Sequence, residues 1–299
     1  MLAIIIPFFK LNFFRITLNS LANQSNKQFK VYVGDDASPV NPLDLLKEFE
    51  GKFDFIYHRF ETNLGSVSLV KHWDRCISMT DGEKWLMILG DDDYLGENVV
   101  EEFYKNFHKF NTNTNVLRYA SKIVNQDSNS ISEIFTHPIQ EKATDSFFRK
   151  FKFLTRSSLS EYIFKRECYD KFKFNDFPLA WYADDLAWLE FSCNKPIFSI
   201  NNAVVYFRMS NENISGKEDN LKDKDYSKFL FYKQLINNQL NHFNSSQKEV
   251  LLLEFGVIAK NQNHLEKNFL NIALRLVKNG SFYYLAKFIR RFYKSQLQK

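Results

Sequence analysis

Over its first ninety or so residues the chain alternates short, solidly apolar runs with stretches whose apolar positions recur at helical spacing. Residues 2–6 are continuously apolar and rich in Ile, as expected of a central parallel strand buried on both faces, and Pro7 ends the run. Residues 29–33, 53–58 and 85–89 are three more runs of strand length. Between the runs, residues 12–23, 42–49 and 67–79 read as helices. In the last of these, Leu69, Val70, Trp73, Cys76 and Ile77 share one face. The order β-α-β-α-β-α-β predicts an α/β fold, with a parallel sheet, helices on both faces and right-handed crossovers.

Two of these runs stop in acids. Residues 29–33 lead into GDDAS, with Asp35 and Asp36, and residues 85–89 break at Gly90 into Asp91, Asp92 and Asp93. In an open α/β sheet, ligands sit beyond the carboxyl ends of the strands. Three adjacent carboxylates there repel one another unless a cation neutralises them. A hard divalent ion held by one or two carboxylates, with diphosphate oxygens in its other positions, suits that task. The acids also read as a solvated turn, or as the acidic start of a helix over residues 97–110.

Beyond this region the pattern loosens. Residues 111–144 turn polar, with a strand over 117–124 and a turn over 125–129, and residues 143–153 form a cationic, Phe-rich helix candidate. After a short strand over 204–207 and a polar loop, residues 226–240, 247–262 and 265–278 read as helices, with Ser281 capping a last one.

The chain has 299 residues, 44% hydrophobic and 25% charged, enough for a soluble protein with a sizeable core. Its 32 Phe and 14 Tyr exceed ordinary usage; part fills the core and part lines a site that stacks on flat or sugar-like ligands. Cys76, Cys168 and Cys193 lie far apart, without zinc spacing or a disulfide framework, which suits a reducing cytoplasmic setting. The net charge of +5 gathers toward the C-terminus, describing a local face and not a nucleic-acid binder. The N-terminus lacks a cationic segment and cleavage site, so it is not a signal peptide, and no run reaches the length of a membrane span. The expected location is cytoplasmic, or peripheral at the inner face of the cell membrane.

Glycine-rich nucleotide cradles are absent. PFFK stands where a dinucleotide fold needs G-x-G-x-x-G, and there is no P-loop. A bound nucleotide must therefore be held by carboxylates and a metal.

The pieces IIIPFFK, LNSLANQ, VYVGDDAS, NLG and LGDDDYL stand in an order and spacing that resemble the inverting family 2 glycosyltransferases, over roughly residues 2–215. The resemblance implies a GT-A fold: a Rossmann-like, mostly parallel sheet flanked by helices. It implies a catalytic domain over residues 1–216, with a nucleotide-sugar half at 1–110 and an acceptor half at 111–216, and a helical extension at 217–299. Asp36, beside Asp35, matches the acid that accepts from the imide of the base, and Pro7 and Phe9 would line the base pocket. Asp92 matches the ribose- or diphosphate-side acid and Asp93 the direct metal ligand, with Asp91 at the variable position of the metal motif. Two departures stand out: Phe9-Lys10 replaces the usual Tyr-Asn, and Gly90 replaces the usual first Asp. The implied cofactor is Mn²⁺ or Mg²⁺. The implied donor is a nucleotide-diphosphate sugar, a UDP-sugar first. The implied acceptor is a glycan or lipid-linked glycan of surface polysaccharide biosynthesis.

An inverting transfer needs one base for the acceptor hydroxyl. PLAWYADDLAWL sets Asp184 and Asp185 among Trp181, Tyr182 and Trp188, where burial raises a carboxylate's basicity. The resemblance puts Asp185 at the base position, with Asp184 as its neighbour or as the cap of a helix over 186–192. Trp181 stacks on the acceptor sugar or fills the core. The segment VVYFRMSNENIS resembles the family's Tyr-Arg segment that ends in Ser215; Ser210 stands where a His is frequent, and Arg208 faces the diphosphate or the solvent. Over residues 281–297, Phe282, Leu285, Ala286, Ile289, Phe292 and Tyr293 fall on one helix face and Lys287, Arg290, Arg291 and Lys294 on the other. That suits an anionic membrane surface, or a helix packed on its domain. A non-catalytic binding module and a nucleotidyltransferase are the competing classes.

Overall fold

The structure is a computed structural model that describes residues 1–211, 213–214, 216 and 219–296. It comprises two compact units, Met1–Asn220 and Leu221–Lys299.

In the first unit β1 (Leu2–Phe8), α1 (Phe14–Ala22), β2 (Phe29–Asp35), α2 (Leu43–Lys47), β3 (Asp54–Arg59), α3 (Leu69–Ile77) and β4 (Trp85–Ile88) follow one another as the hydrophobic pattern predicts. Then come β5 (Tyr94–Leu95), α4 (Val99–Phe110), β6 (Val116–Val124), β7 (Gln140–Glu141), α5 (Ala143–Phe151), β8 (Tyr162–Lys165), α6 (Arg166–Phe172), α7 (Ala183–Phe191) and β9 (Ile197–Arg208). The sheet runs β3-β2-β1-β4-β8-β6-β9-β5, with β7 also on β9. β1 pairs in parallel with β2 and β4, β2 with β3, and β6 with β9, while β5, β7 and β8 run against their neighbours. The fold is GT-A: a mixed, mostly parallel sheet between helices. Leu2 to Ile6 are wholly buried, as a central strand requires. Below the sheet Phe103, Phe107 and Phe110 of α4 and Trp85 pack edge to face, which accounts for part of the aromatic excess.

Because β1, β2, β4, β6 and β9 point the same way, their carboxyl ends share one sheet edge. Antiparallel β8 begins at that edge, so the residues just before it belong there too. Gln24 ties α1 to this scaffold: its amide donates to the Gly96 carbonyl and accepts from the Val100 N–H.

The second unit is helical. α8 (Leu221–Gln234) runs on through a π turn and a 3₁₀ turn, followed by α9 (Ser245–Asn261), α10 (Leu265–Lys278) and α11 (Phe282–Gln296). Asn244 and Gln247 form a reciprocal capping box at the start of α9. A Cβ at Gly256 would lie 2.8 Å from the Phe288 ring, so glycine lets α11 sit close on α9. Phe269 of α10 meets Phe288 and Phe292 at 5.2 and 4.3 Å. The inward face of α11 is therefore rotated from the expected one. Phe288 is its buried residue, while Phe282 and Tyr293 stand exposed. The Lys294 side chain and residue 297 lie outside the described part. Among the described residues no helix is long and apolar enough to cross a membrane.

Candidate active site

β2 delivers two acids with different tasks. Asp35 is wholly buried and accepts from the Ser38 N–H (2.7 Å), the Tyr57 hydroxyl (2.7 Å) and Arg59 (2.8 Å). It organises the loop beyond β2. Asp36 accepts from the Leu64 and Gly65 N–H groups at 2.8 Å each and from the Arg75 guanidinium. Burial raises its pKa despite these donors. His72 lies 3.5 Å away and accepts from Arg75 Nε at 3.0 Å; burial, then the Arg75 charge, pushes its pKa down to about 3. It is a neutral neighbour, not a counter-ion, so the charge facing Asp36 comes from Arg75.

The motif Asn63-Leu64-Gly65 is thus an amide cradle for Asp36. A Cβ at Gly65 would fall 2.4 Å from Asp36 Oδ2. Gly65→Ala is expected to push this carboxylate out and cost about 1–3 kcal/mol of stability. Urea unfolding measures it, and an unchanged midpoint would show that the loop yields freely.

The three acids after β4 also divide their work. Asp91 Oδ2 accepts from the Phe9 and Lys10 N–H groups at 2.8 Å each, clamping the turn after β1 and fixing Pro7 and Phe9 at the site's edge. The Thr17 hydroxyl holds the Asp91 and Asp93 carbonyls from α1. Asp93 is buried; it accepts from the Arg208 N–H at 2.8 Å and the Ser160 hydroxyl at 2.5 Å. Asp92, half-exposed like Asp91, lies beside the charges of Lys10 and Arg208. Burial first, and then the Asp92 charge, pushes both Asp91 and Asp93 up to about 7. A Cβ at Gly90 would lie 3.1 Å from both Asp92 Oδ1 and Asp93 Oδ2, so these carboxylates flank the space left by the missing side chain.

This donor set fits a hard divalent cation. Like charges crowd one hollow, and each raises the energy of its neighbours' ionisation. Asp91 has turned to the β1 turn, and among the described residues no three acids or His/Cys groups form a ready cage. Asp92 and Asp93 are the residues that would hold the ion.

Arg208 differs from both expectations for it. The guanidinium is fully buried over the Phe13 ring and donates to the carbonyls of Asp92, Asn125 and Gln126 and to the Ser128 hydroxyl. It neither faces solvent nor opens toward a diphosphate; it staples the acid loop to the end of β6. Ser215 lies outside the described residues.

Just before α7 the backbone is strained. Leu179, Ala180 and Tyr182 have φ of 58°, 52° and 68°, and α7 begins directly after them. Such conformations cluster at functional sites. Asp184 and Asp185 fall in the first turn of α7, earlier than the expected helix. Asp185 is buried, with both oxygens 2.6 Å from Lys150 Nζ on α5. Asp184 is half-exposed, and burial, then the Asp185 charge, pushes it up to about 7. Trp181 is also half-exposed, edge-on to Tyr182, whereas Trp188 is buried and stacked on Tyr162 at 4.3 Å. A cavity of about 10 Å³, room for roughly one water, is lined by Lys150, Arg156, Ser157, Tyr162, Asp185 and Trp188. Arg156 pairs with the buried Glu161 at 2.6 Å, and its charge reaches Asp93. The segment before β8 thereby links the two acid sets.

A family model described as glycosyl transferase family 2 matches residues 3–186, more than half of the chain. The chain belongs to glycosyl transferase family 2. This family 2 member is a glycosyltransferase, and solved structures share its fold. Staphylococcus aureus TarS 1–349 with UDP-GlcNAc superposes with a TM-score of 0.65 at 18% identity, over 97% of this chain and 80% of that one. The complex of the same fragment with UDP gives 0.62 at 18% identity, over 85% and 70%. Of the longer S. aureus TarS structure the match spans 43%. No curated protein matches the sequence.

Within this family 2 site the sequence pattern misses Arg75, Lys150 and Ser160. Arg75 alone leaves a trace, as a cation one turn after His72 on α3. Lys150 and Ser160 meet their acids from distant segments and leave none.

Proposed function

We propose that the protein is an inverting, metal-dependent transferase that moves a sugar from a UDP-sugar to a glycan or lipid-linked acceptor of surface polysaccharide. The supporting observation is the gathering, at one sheet edge, of a cradled acid (Asp36), a half-open acid loop (Asp92, Asp93) and a separate acid pair (Asp184, Asp185) whose first member has raised basicity. Residues 1–110 form the donor half and residues 111–216 the acceptor half. The UDP choice draws on the UDP and UDP-GlcNAc complexes of TarS.

In this reading Asp36 and Arg75 meet the base, against Pro7 and Phe9. Asp92 and Asp93 hold Mn²⁺ or Mg²⁺, which when bound supplies positive charge to the leaving diphosphate. Trp181 carries the acceptor sugar. The pair Asp184–Asp185 takes the hydroxyl proton. Lys150 Nζ occupies both oxygens of Asp185, so the proton goes to Asp184. The acceptor oxygen then attacks the anomeric carbon from the face opposite the diphosphate, and the broken C–O bond leaves its electron pair on the diphosphate. The work is done in the cytoplasm, or at the inner face of the cell membrane.

A thermal-shift screen of UDP, GDP, TDP and CMP, each with and without Mn²⁺, tests the donor reading. UDP with metal is expected to raise Tm. At a hundredfold excess over Kd the stabilisation is about 2.7 kcal/mol. No response to any nucleotide would overturn this reading and leave a binding module that has lost its ligand.

A further inference from the structure

The end of α5 breaks a local rule. The Lys152 N–H donates to the Phe148 carbonyl, Phe153 N–H to Lys150 and Leu154 N–H to Arg149, the bond pattern of a Schellman cap. The position after the cap needs a left-handed backbone and normally takes glycine. Here it is Phe153, at φ 57°. Phe153 is 96% exposed and Leu154 beside it 71%, so packing returns nothing for the strain. Residues that break a local rule without a folding gain mark functional places.

Charge narrows the partner. Residues 142–156 carry five cations against the single acid Asp145; Arg149, Lys150 and Arg156 pair with Glu141, Asp185 and Glu161, which leaves the exposed Lys142 and Lys152 to face a partner. Lys152 lies over the Phe148 and Phe151 rings at 5.5 and 5.3 Å. The second unit repeats the combination. Residues 265–299 have Glu266 as their only acid among eight cations, and Leu270, Leu274 and Val277 of α10 are exposed. A free glycan would need polar partners, which Phe153 and Leu154 do not offer. A second copy of this tip would bring like charge to the contact. An anionic lipid surface satisfies both the apolar tip and the cations.

We propose that Phe153 and Leu154 form an interfacial anchor that enters the headgroup boundary of an anionic bilayer. Lys150, which holds Asp185, lies three residues before the tip. The anchor therefore brings the acceptor side of the site to the bilayer, an assignment that rests on the lipid-linked acceptor proposed above.

Flotation with vesicles of phosphatidylcholine alone, and with added phosphatidylglycerol, tests it. The wild type is expected to float with the anionic vesicles and to be released by salt at about 0.5 M. Phe153→Gly/Leu154→Ser is expected to lose vesicle binding at least tenfold. Phe153→Gly alone should raise Tm by about 2 °C, because glycine suits the left-handed position, so lost binding cannot be laid to misfolding. A wild type indifferent to lipid, or a double variant that floats equally well, overturns the anchor. So does a wild type that self-associates in sedimentation and becomes monomeric in the double variant. The vesicles contain no acceptor, so their outcome is separate from the acceptor reading, which transfer to soluble against lipid-linked glycans decides.

Discussion

Asp92→Asn is expected to cut kcat by about 10³-fold or more and to abolish the metal-dependent part of UDP binding. Asp92 lies half-exposed beside the charges of Lys10 and Arg208, whereas Asp91 is turned to the β1 turn and Asp93 is buried against Ser160 and Arg208. Charge placed where a leaving group develops its own is worth about 3–4 kcal/mol or more in the transition state. Asn keeps the shape, removes a charge that Asp91 and Asp93 both feel, and leaves the fold intact. Titration calorimetry of UDP with and without Mn²⁺ separates binding from chemistry. A variant that turns over normally and still couples UDP to metal would remove Asp92 from the site.

The second large effect belongs to Asp184. A base works deprotonated, so with Asp184 pushed up to about 7, kcat should rise with pH through that value and level above it. Asp184→Asn is expected to lower kcat by about 10²–10⁴-fold, flatten this limb and spare UDP binding. Asp185→Asn instead strands Lys150 in a largely buried place and is expected to lower Tm. If Asp184→Asn proves active while a folded Asp185→Asn is dead, the base is Asp185 and Lys150 must release it during turnover.

The first four strands were legible because parallel strands buried on both faces read as solid apolar runs, as in residues 2–6 and 85–89. Gly90 marks the end of the run 85–89, whereas Gly34, expected to stop its strand, lies inside β2, which runs on to Asp35. β8 escaped notice because Tyr162 to Phe164 is too short a run to separate from the helix after it. β5 and β7 have two residues each, held by β9 and not by any pattern of their own. The types of the site residues were visible, but their tasks were not. Asp91 and Arg208 act on backbone amides and carbonyls, which carry no side-chain signature. Lys150 meets Asp185 across 35 positions and Arg75 meets Asp36 across 39, separations that hydrophobic periodicity does not encode. The apolar face of α11 was misread because the close approach at Gly256 selects Phe288, and that selection lies in the partner helix.

The hollow at Gly90 bears on the order in which ligands arrive. With glycine in place of a further acid, a free cation meets two carboxylates that protein donors already share, and little else to replace its water. Its grip on the empty protein should be slight. In the proposed reading a diphosphate would supply the remaining oxygens, so ion and nucleotide should land as one complex, and their ratio in solution, more than the amount of free metal, should govern how full the enzyme is.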